Sequence, residues 1–235
     1  MIKAFCFDKF LINGVVSLSF TEAHHVFKVL RARENEPILL INGQGVVASA
    51  HVNDIHQQTL IIDAIKQQNP PEITLYPALI KHKALDFLIR EATAIGVKKI
   101  VPLVTDHCEI KLYDVDQKIE HWNLIAREAC KQSGNAYLPI IESPVSLKKV
   151  QFLPHTFVAA LQEDAQPIRN FYSQIQNHDI GIVIGPEGDF SATEYQFFRE
   201  QNIKLVSLSR HILRAETAAL YLLSIIDQTK TLPWN

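Results

Sequence analysis

The 235-residue chain is 47% hydrophobic and carries a formal net charge of −2. It can therefore bury a substantial core, and as a whole it is not a general binder of polyanions. Cys6, Cys108 and Cys130 are widely separated and form no C-x-x-C pair, so neither a disulfide framework nor a metal site is indicated and buried, reduced thiols are expected.

No apolar run approaches the roughly 20 residues of a bilayer span. The start, "MIKAFCFDKF", lacks the apolar stretch and small-residue cleavage site of a signal peptide, and a cytoplasmic address follows. From Met1 to about Ile65 the apolar runs are short and turn signals are frequent, with "NG" at Asn13, "NGQG" at Asn42 to Gly45 and "ND" at Asn53. That rhythm predicts a small β-rich domain. In "EPILLINGQGVVASAHV" two β-branched runs flank a glycine turn, which reads as a hairpin. In "TEAHHVFKVLRAR" the spacing of Val26, Val29 and Leu30 reads as a short helix, with Thr21 as a candidate cap.

Two prolines among polar residues in "KQQNPPEI" put a domain boundary near Pro70. Beyond it strands and helices alternate: "ITLYPALI", then helix "KALDFLIREATAIG", strand "KKIVPLV" and helix "QKIEHWNLIAREACKQSG". Strands "TFVAAL" and "DIGIVIG", helix "SATEYQFFREQN", strand "IKLVSL" and helix "RAETAALYLLSIIDQ" complete the series. Such alternation means a mostly parallel sheet with helices on its faces. Ligands of open α/β sheets sit beyond the carboxyl ends of strands, so the loops after Leu161, Ile184 and Leu208 are the ones to inspect.

The loop in "IVIGPEGDFSATE" breaks a β-branched run with Gly185, Pro186 and Gly188. Its glycines can adopt positive φ and let a backbone or ligand come close, while Pro186 stiffens the turn. Ser191 and Glu194 have the spacing of a capping box at the start of the next helix. The stretch lacks the Lys-Ser/Thr ending of a P-loop and is too short for G-x-G-x-x-G. Two readings stay open: a tight connection, or a cradle for a flat, uncharged group such as adenine. In "RHILRAETAALYLLSII", Glu216 lies in a first helical turn, where a carboxylate gains about 0.3 to 1 kcal/mol from the helix dipole. Arg210 and Arg214 precede it. Local basic clusters stand at Lys81 to Lys83, at Lys98 with Lys99 and at Lys148 with Lys149.

Taken together, "HHVFKVLR" with "NGQG", "REATAIGVKKIVPL", "EACKQS", "IGPEGDFS" and "ILRAETA", in this order over nearly the whole chain, resemble one family. It is the bacterial 16S ribosomal RNA uridine N3-methyltransferases, a branch of the SPOUT superfamily of knotted, S-adenosylmethionine-dependent enzymes. The resemblance implies an α/β protein. Residues 1–70 would form a PUA-like β-barrel that helps hold RNA, and residues 71–235 a trefoil-knotted methyltransferase domain with a parallel sheet. It also implies S-adenosyl-L-methionine as cofactor, 16S rRNA within the small ribosomal subunit as partner, and a homodimer.

Carried over by residue, the cofactor loop is Gly185, Pro186, Glu187 and Gly188. Leu161 and Leu208 join it from neighbouring strand ends, and Ile212, Leu213 and Thr217 complete the pocket. Arg214 faces the substrate as the catalytic residue that favours the uridine anion. Whether a carboxylate takes the proton is open; Glu216, ahead of Glu187, is the nearby candidate. His24, His25 and Arg31 belong to the RNA-handling half, with Lys81 and Lys83 as further RNA candidates. Four positions depart from the family's pattern: Asp189, where a second glycine is common; Asn135, for arginine; Ala94, for glutamate; and Ser209, for glycine. A catalytically weakened RNA-binding protein of the same fold is the alternative reading. A nucleotide-dependent enzyme of ordinary doubly wound type lacks its fingerprint.

Overall fold

The computed structural model describes residues 1–7, 10–108, 114–176 and 178–230. The chain divides into two compact units, Met1–Pro71 together with Arg127–Leu138, and Glu72–Ala126 together with the chain from Pro139 onward.

The first unit holds β1 (Ile2–Phe5), β2 (Val15–Ser17), α1 (Phe20–Ala23, continued as a π-helical stretch His24–Val29), β3 (Pro37–Ile41), β4 (Val46–Asp54) and β5 (Thr59–Gln67). Its sheet order is β1-β3-β4-β5-β2. The hairpin read around "NGQG" is present, with β3 antiparallel to β4 and Ile41 opposite Val47. In β4, Ala48, Ala50 and Val52 point inward while Ser49 is exposed, the period-two alternation of a sheet with one buried face. They meet Leu40, Leu60, Ile62 and Val26 in one cluster. Bulges at Ser49/Ala50 and Val52/Asp54 add twist and curl. β1 and β2 lie at opposite edges, so the unit is a curled β half-barrel, in keeping with the PUA-like β-rich unit the resemblance implied.

The cap of α1 is Ser19, whose Oγ accepts from the Glu22 amide at 3.4 Å, so Thr21 does not serve. After Ala23 the bonding widens: the Leu30 amide donates to the His25 carbonyl, five residues back. That wider turn carries Val29 and Leu30 out to the surface while Val26 and Phe27 stay buried, which is why α-helical spacing misplaced them.

The second unit holds β6 (Ile73–Pro77), α2 (His82–Ile95), β7 (Lys99–Ile100), β8 (Leu103–Val104), α3 (Val115–Ser133), β9 (Ile140–Ile141), β10 (Val145–Ser146) and β11 (His155–Ala159). It continues with β12 (Gln166–Pro167), α4 (Tyr172–Gln176), β13 (Ile180–Ile184), α5 (Ala192–Glu200), β14 (Lys204–Ser207) and α6 (Ala215–Thr229). The end of α3, from Arg127, belongs to the first unit. A seven-stranded sheet runs in the order β12-β14-β11-β13-β6-β7-β9, and its pairings are parallel. β6 and β13 are buried along their full length, as expected of central parallel strands covered on both faces. Helix α2 buries Leu85, Leu88, Ile89 and Ala92 and stops at Gly96, whose φ of 112° is a left-handed C-cap. The two-residue strands β9, β10 and β12 escaped the sequence reading because periodicity has no meaning over two residues.

Candidate active site

The chain leaves β13 at Ile184 and turns at once. The Asp189 amide donates to the Pro186 carbonyl at 3.0 Å, closing a four-residue turn. Gly185 and Gly188 do not use the positive φ open to glycine; the left-handed residue is Asp189, at φ 60°. The glycines serve packing instead. A Cβ on Gly185 would stand 3.1 Å from the Phe190 ring, and one on Gly188 would stand 3.3 Å from the His107 Cβ. The room they leave is filled by protein side chains.

The capping box of α5 forms as its spacing required. The Glu194 amide donates to Ser191 Oγ at 3.3 Å and the Ser191 amide donates to Glu194 Oε2 at 2.9 Å. Glu194 is only 1% exposed, and its second oxygen accepts from the Asp106 amide at 2.8 Å. Asp106 Oδ2 in turn accepts from Ser191 Oγ at 2.6 Å and Thr193 Oγ1 at 3.2 Å. Those hydroxyls, Ser191 first, hold the Asp106 carboxyl below the usual range. Beside it, His107 Nδ1 lies 2.9 Å from the Asp189 carbonyl and 3.1 Å from that of Gly188. These acceptors, Asp189 before Gly188, raise the pKa of His107.

At the carboxyl ends of β11, β13 and β14 lies a cavity of ≈ 590 Å³, within the roughly 300–1,000 Å³ typical of small-molecule sites. One wall is formed by Gly185, Pro186, Glu187 and Asp189. A second is Ala159 to Leu161, and a third runs from Leu208 and Ser209 through His211 to Glu216. Lys81 and Ala84 close it from α2, and the Lys81 amide donates to Glu187 Oε1 at 3.2 Å. Leu161 and Ile212 are 60% and 81% exposed, an apolar rim around a polar mouth carrying Arg214 and Glu216. Ser209 Oγ accepts from the His211 amide at 3.1 Å, shaping that lip.

The structure thus brings together Leu161, Gly185, Pro186, Glu187, Leu208, Ile212, Leu213, Arg214 and Glu216. It leaves out two of the residues taken from the resemblance. Gly188 faces His107. Thr217 lines a separate groove with Leu220, Tyr221 and Ser224. On a 3.6-residue helix Ala215 and Ala218 share the cavity face, and Thr217 is rotated off it. Lys81, read only as an RNA candidate, lines the cavity; Lys83 is exposed outside it. Ala84, Asp189 and His211 carried no sequence signal as lining residues, since they enter only through tertiary placement.

Of the remaining candidates, His24 and His25 lie in the π-helical stretch of the first unit. Arg31 has a φ of 55° and lines a shallow groove with Arg33 and Asn35. Lys98 and Lys99 are paired with Asp179 and Glu142. Asn135, one of the four departures, caps a local turn: its Oδ1 accepts from the Tyr137 amide at 2.9 Å. Cys6 and Cys130 are buried, and burial pushes the Cys130 thiol up to about 12. Among the described residues no group of three or more metal-ligating side chains comes together, and no helix is long and apolar enough to cross a membrane.

A cavity at the carboxyl ends of adjacent parallel strands stands where open α/β proteins commonly bind ligands. Residues 67–227 match the family model described as RNA methyltransferase domain, and residues 21–65 match that of the RNA methyltransferase PUA domain. The chain belongs to the RNA methyltransferase family. It is 34% identical over 206 residues to the ribosomal RNA small subunit methyltransferase E of Rickettsia conorii, covering 84% of this chain and 82% of the relative. Its identity to the Aquifex aeolicus protein of the same name is 31% over 211 residues, with 85% and 89% covered. Among solved structures, a Legionella pneumophila methyltransferase in complex with S-adenosylmethionine superposes with a TM-score of 0.85 at 25% identity, over 97% of both chains. Ribosomal RNA small subunit methyltransferase E from Neisseria gonorrhoeae, bound to S-adenosyl methionine, has the same fold, with a TM-score of 0.87 at 23% identity and 97% of both chains covered.

Proposed function

We propose that this protein is an S-adenosylmethionine-dependent methyltransferase of small-subunit ribosomal RNA that modifies N3 of a uridine. The observation that carries the reading is the cavity itself, which residues of the 185–189 turn and of the 208–213 segment line together with Arg214 and Glu216. The lining suits the cofactor. Walls of glycine and alanine, Gly185 with Ala159, Ala160, Ala215 and Ala218, leave room for an adenine ring, and the carboxylates of Glu187, Asp189 and Glu216 complement a sulfonium cation. When bound, the cofactor supplies an electrophilic methyl group.

The chain's own residues then have two tasks. The first is alignment, because a displacement gains most of its rate from holding the reacting atoms in line. The second is charge. N3 of uridine carries a proton and has no lone pair free until that proton leaves. The Arg214 guanidinium, facing the uracil carbonyls, favours the anion by charge and hydrogen bonding. Glu216, one helical position beyond Ala215, is the carboxylate assigned to accept the proton. The target base must leave its stack to reach the mouth, and His24, His25, Arg31, Lys81 and Lys83 are assigned to the flanking RNA. Near-neutral net charge favours an assembled subunit, which presents shape as well as phosphate, over free RNA.

The architecture assigned is a trefoil-knotted domain of residues 71–235 beside a PUA-like unit of residues 1–70, working as a homodimer. The groove along α6, with Phe87, Tyr172 and Tyr221 exposed, offers an apolar face for a second copy. The decisive experiment is mass spectrometry of 16S rRNA from cells lacking the gene, together with primer extension, since methyl at N3 blocks Watson–Crick pairing. Loss of one methyluridine and its extension stop supports the function. An unchanged rRNA overturns it in favour of the non-catalytic RNA-binding reading.

A further inference from the structure

The 185–189 turn is a wall of the cavity, yet much of what holds it in place comes from a segment the cavity does not include. Thr105 to Cys108 follow β8, and two adjacent side chains there grip the loop at two points. Asp106 takes the hydroxyls of Ser191 and Thr193 at the start of α5, while Glu194 returns a bond to the Asp106 amide. His107 reaches the other end, 2.9 Å from the Asp189 carbonyl and 3.1 Å from the Gly188 carbonyl. Both partners are acceptors, so Nδ1 carries a hydrogen whatever the state of Nε2. Gly188 is a glycine at the point where the imidazole lies against it: a Cβ would come within 3.3 Å of the His107 Cβ.

We propose that His107 is a positioning residue for the cofactor, fixing from outside the cavity the main chain of the turn that walls the adenosyl site. The inference rests on the reading of that cavity as the S-adenosylmethionine site. Asp189 is in the left-handed region, where a non-glycine residue persists only if its surroundings impose it. The carbonyls held by His107 are those of this residue and the one before it. Releasing them lets the turn relax, and the bound cofactor must then order it again at a cost in affinity.

The test is calorimetric titration of the full-length protein with S-adenosylmethionine in the absence of RNA, for wild type and for His107→Ala, His107→Asn and His107→Gln. Asparagine places an amide hydrogen about where Nδ1–H lies, whereas glutamine places it one bond farther out. Alanine and glutamine should weaken binding about tenfold, the worth of one or two hydrogen bonds, and asparagine should stay within about twofold. In turnover the alanine variant should raise KM for the cofactor while leaving kcat at saturation nearly unchanged. Amide hydrogen exchange over residues 187–191 reads the brace without any cofactor: it should quicken in the alanine and glutamine variants and recover in asparagine. Equal affinity in wild type and alanine, or an asparagine variant no better than glutamine, overturns the proposal. Should the alanine variant fail to fold, the asparagine and glutamine pair decides. A wild type that binds no S-adenosylmethionine refutes the cofactor reading, and hydrogen exchange by itself then decides whether His107 holds the turn.

Discussion

The hydroxyl of Tyr195 donates to Asp189 Oδ1 at 2.7 Å, tying the first turn of α5 to the one left-handed residue of the cavity turn. Tyr195 is buried, and burial first, then the Asp189 carboxylate, raises its pKa, so it stays a donor across the working range. The negative charge of Asp189 is thereby partly engaged in an internal bond. Asp189→Gly removes that bond but relieves the backbone, whereas Asp189→Ala loses the bond and keeps the strain. Stability in urea should fall in the order wild type, glycine, alanine, with alanine about 1–2 kcal/mol below wild type. An alanine variant as stable as wild type would show that neither the bond nor the left-handed backbone matters.

Arg214 stands at the N-cap of α6 with extended backbone, and its carbonyl accepts from the Ala218 amide at 2.8 Å. The helix start is thus made by main chain, leaving the guanidinium for other work. Arg214→Ala should cut methylation of small subunits about a hundredfold or more, while calorimetric affinity for S-adenosylmethionine and the melting temperature stay close to wild type. Turnover at the wild-type rate removes Arg214 from the mechanism.

The brace around the turn has opposite pH dependence at its two ends. His107 has a raised folded pKa, so its contribution is full below the unfolded value of about 6.5 and is lost as pH climbs through the folded one. Asp106 has a lowered folded pKa, so its contribution is full above the unfolded carboxylate value and disappears as pH falls through the folded one. Melting curves from pH 3 to 9 should show His107→Asn losing the alkaline slope and Asp106→Asn losing the acid slope. Profiles parallel to wild type in both variants would remove these two groups from the pH response.

In the core, the space at Gly181 is taken by the Thr156 hydroxyl and the Tyr76 ring. That hydroxyl donates to the Leu153 carbonyl at 2.7 Å. Gly181→Ala forces Thr156 aside and strands a buried polar group, for an expected loss of about 2–3 kcal/mol in denaturant unfolding. Gly181→Ala combined with Thr156→Val, which gives up that bond, should not recover the loss, because the crowding against Tyr76 persists.

Much of the second unit could be read from sequence because its signals are local. The β-branched run of β13 needs burial on both faces, the spacing of α2 and α6 presents one apolar stripe, and Ser191 with Glu194 caps a helix through atoms three residues apart. The glycines around Pro186 marked the right turn for the wrong reason, since a glycine shows that something comes close without showing what. Val29 and Leu30 were misplaced because their pattern fits an α-helix, and nothing local announces the change to wider bonding after Ala23.

By itself, then, the order of residues determined the element types, the parallel α/β class and the strand ends where the cavity lies, all set by interactions within a few positions. Tertiary structure alone decided that Phe190 and His107 fill the room at Gly185 and Gly188, that Asp189 bears the left-handed backbone, and that Thr217 turns away from the cavity. Those outcomes hang on partners far along the chain, 85 positions between Asp106 and Ser191 and 82 between His107 and Asp189. Contacts of that separation exist only after the sheet has assembled, so no periodicity along the chain can carry them.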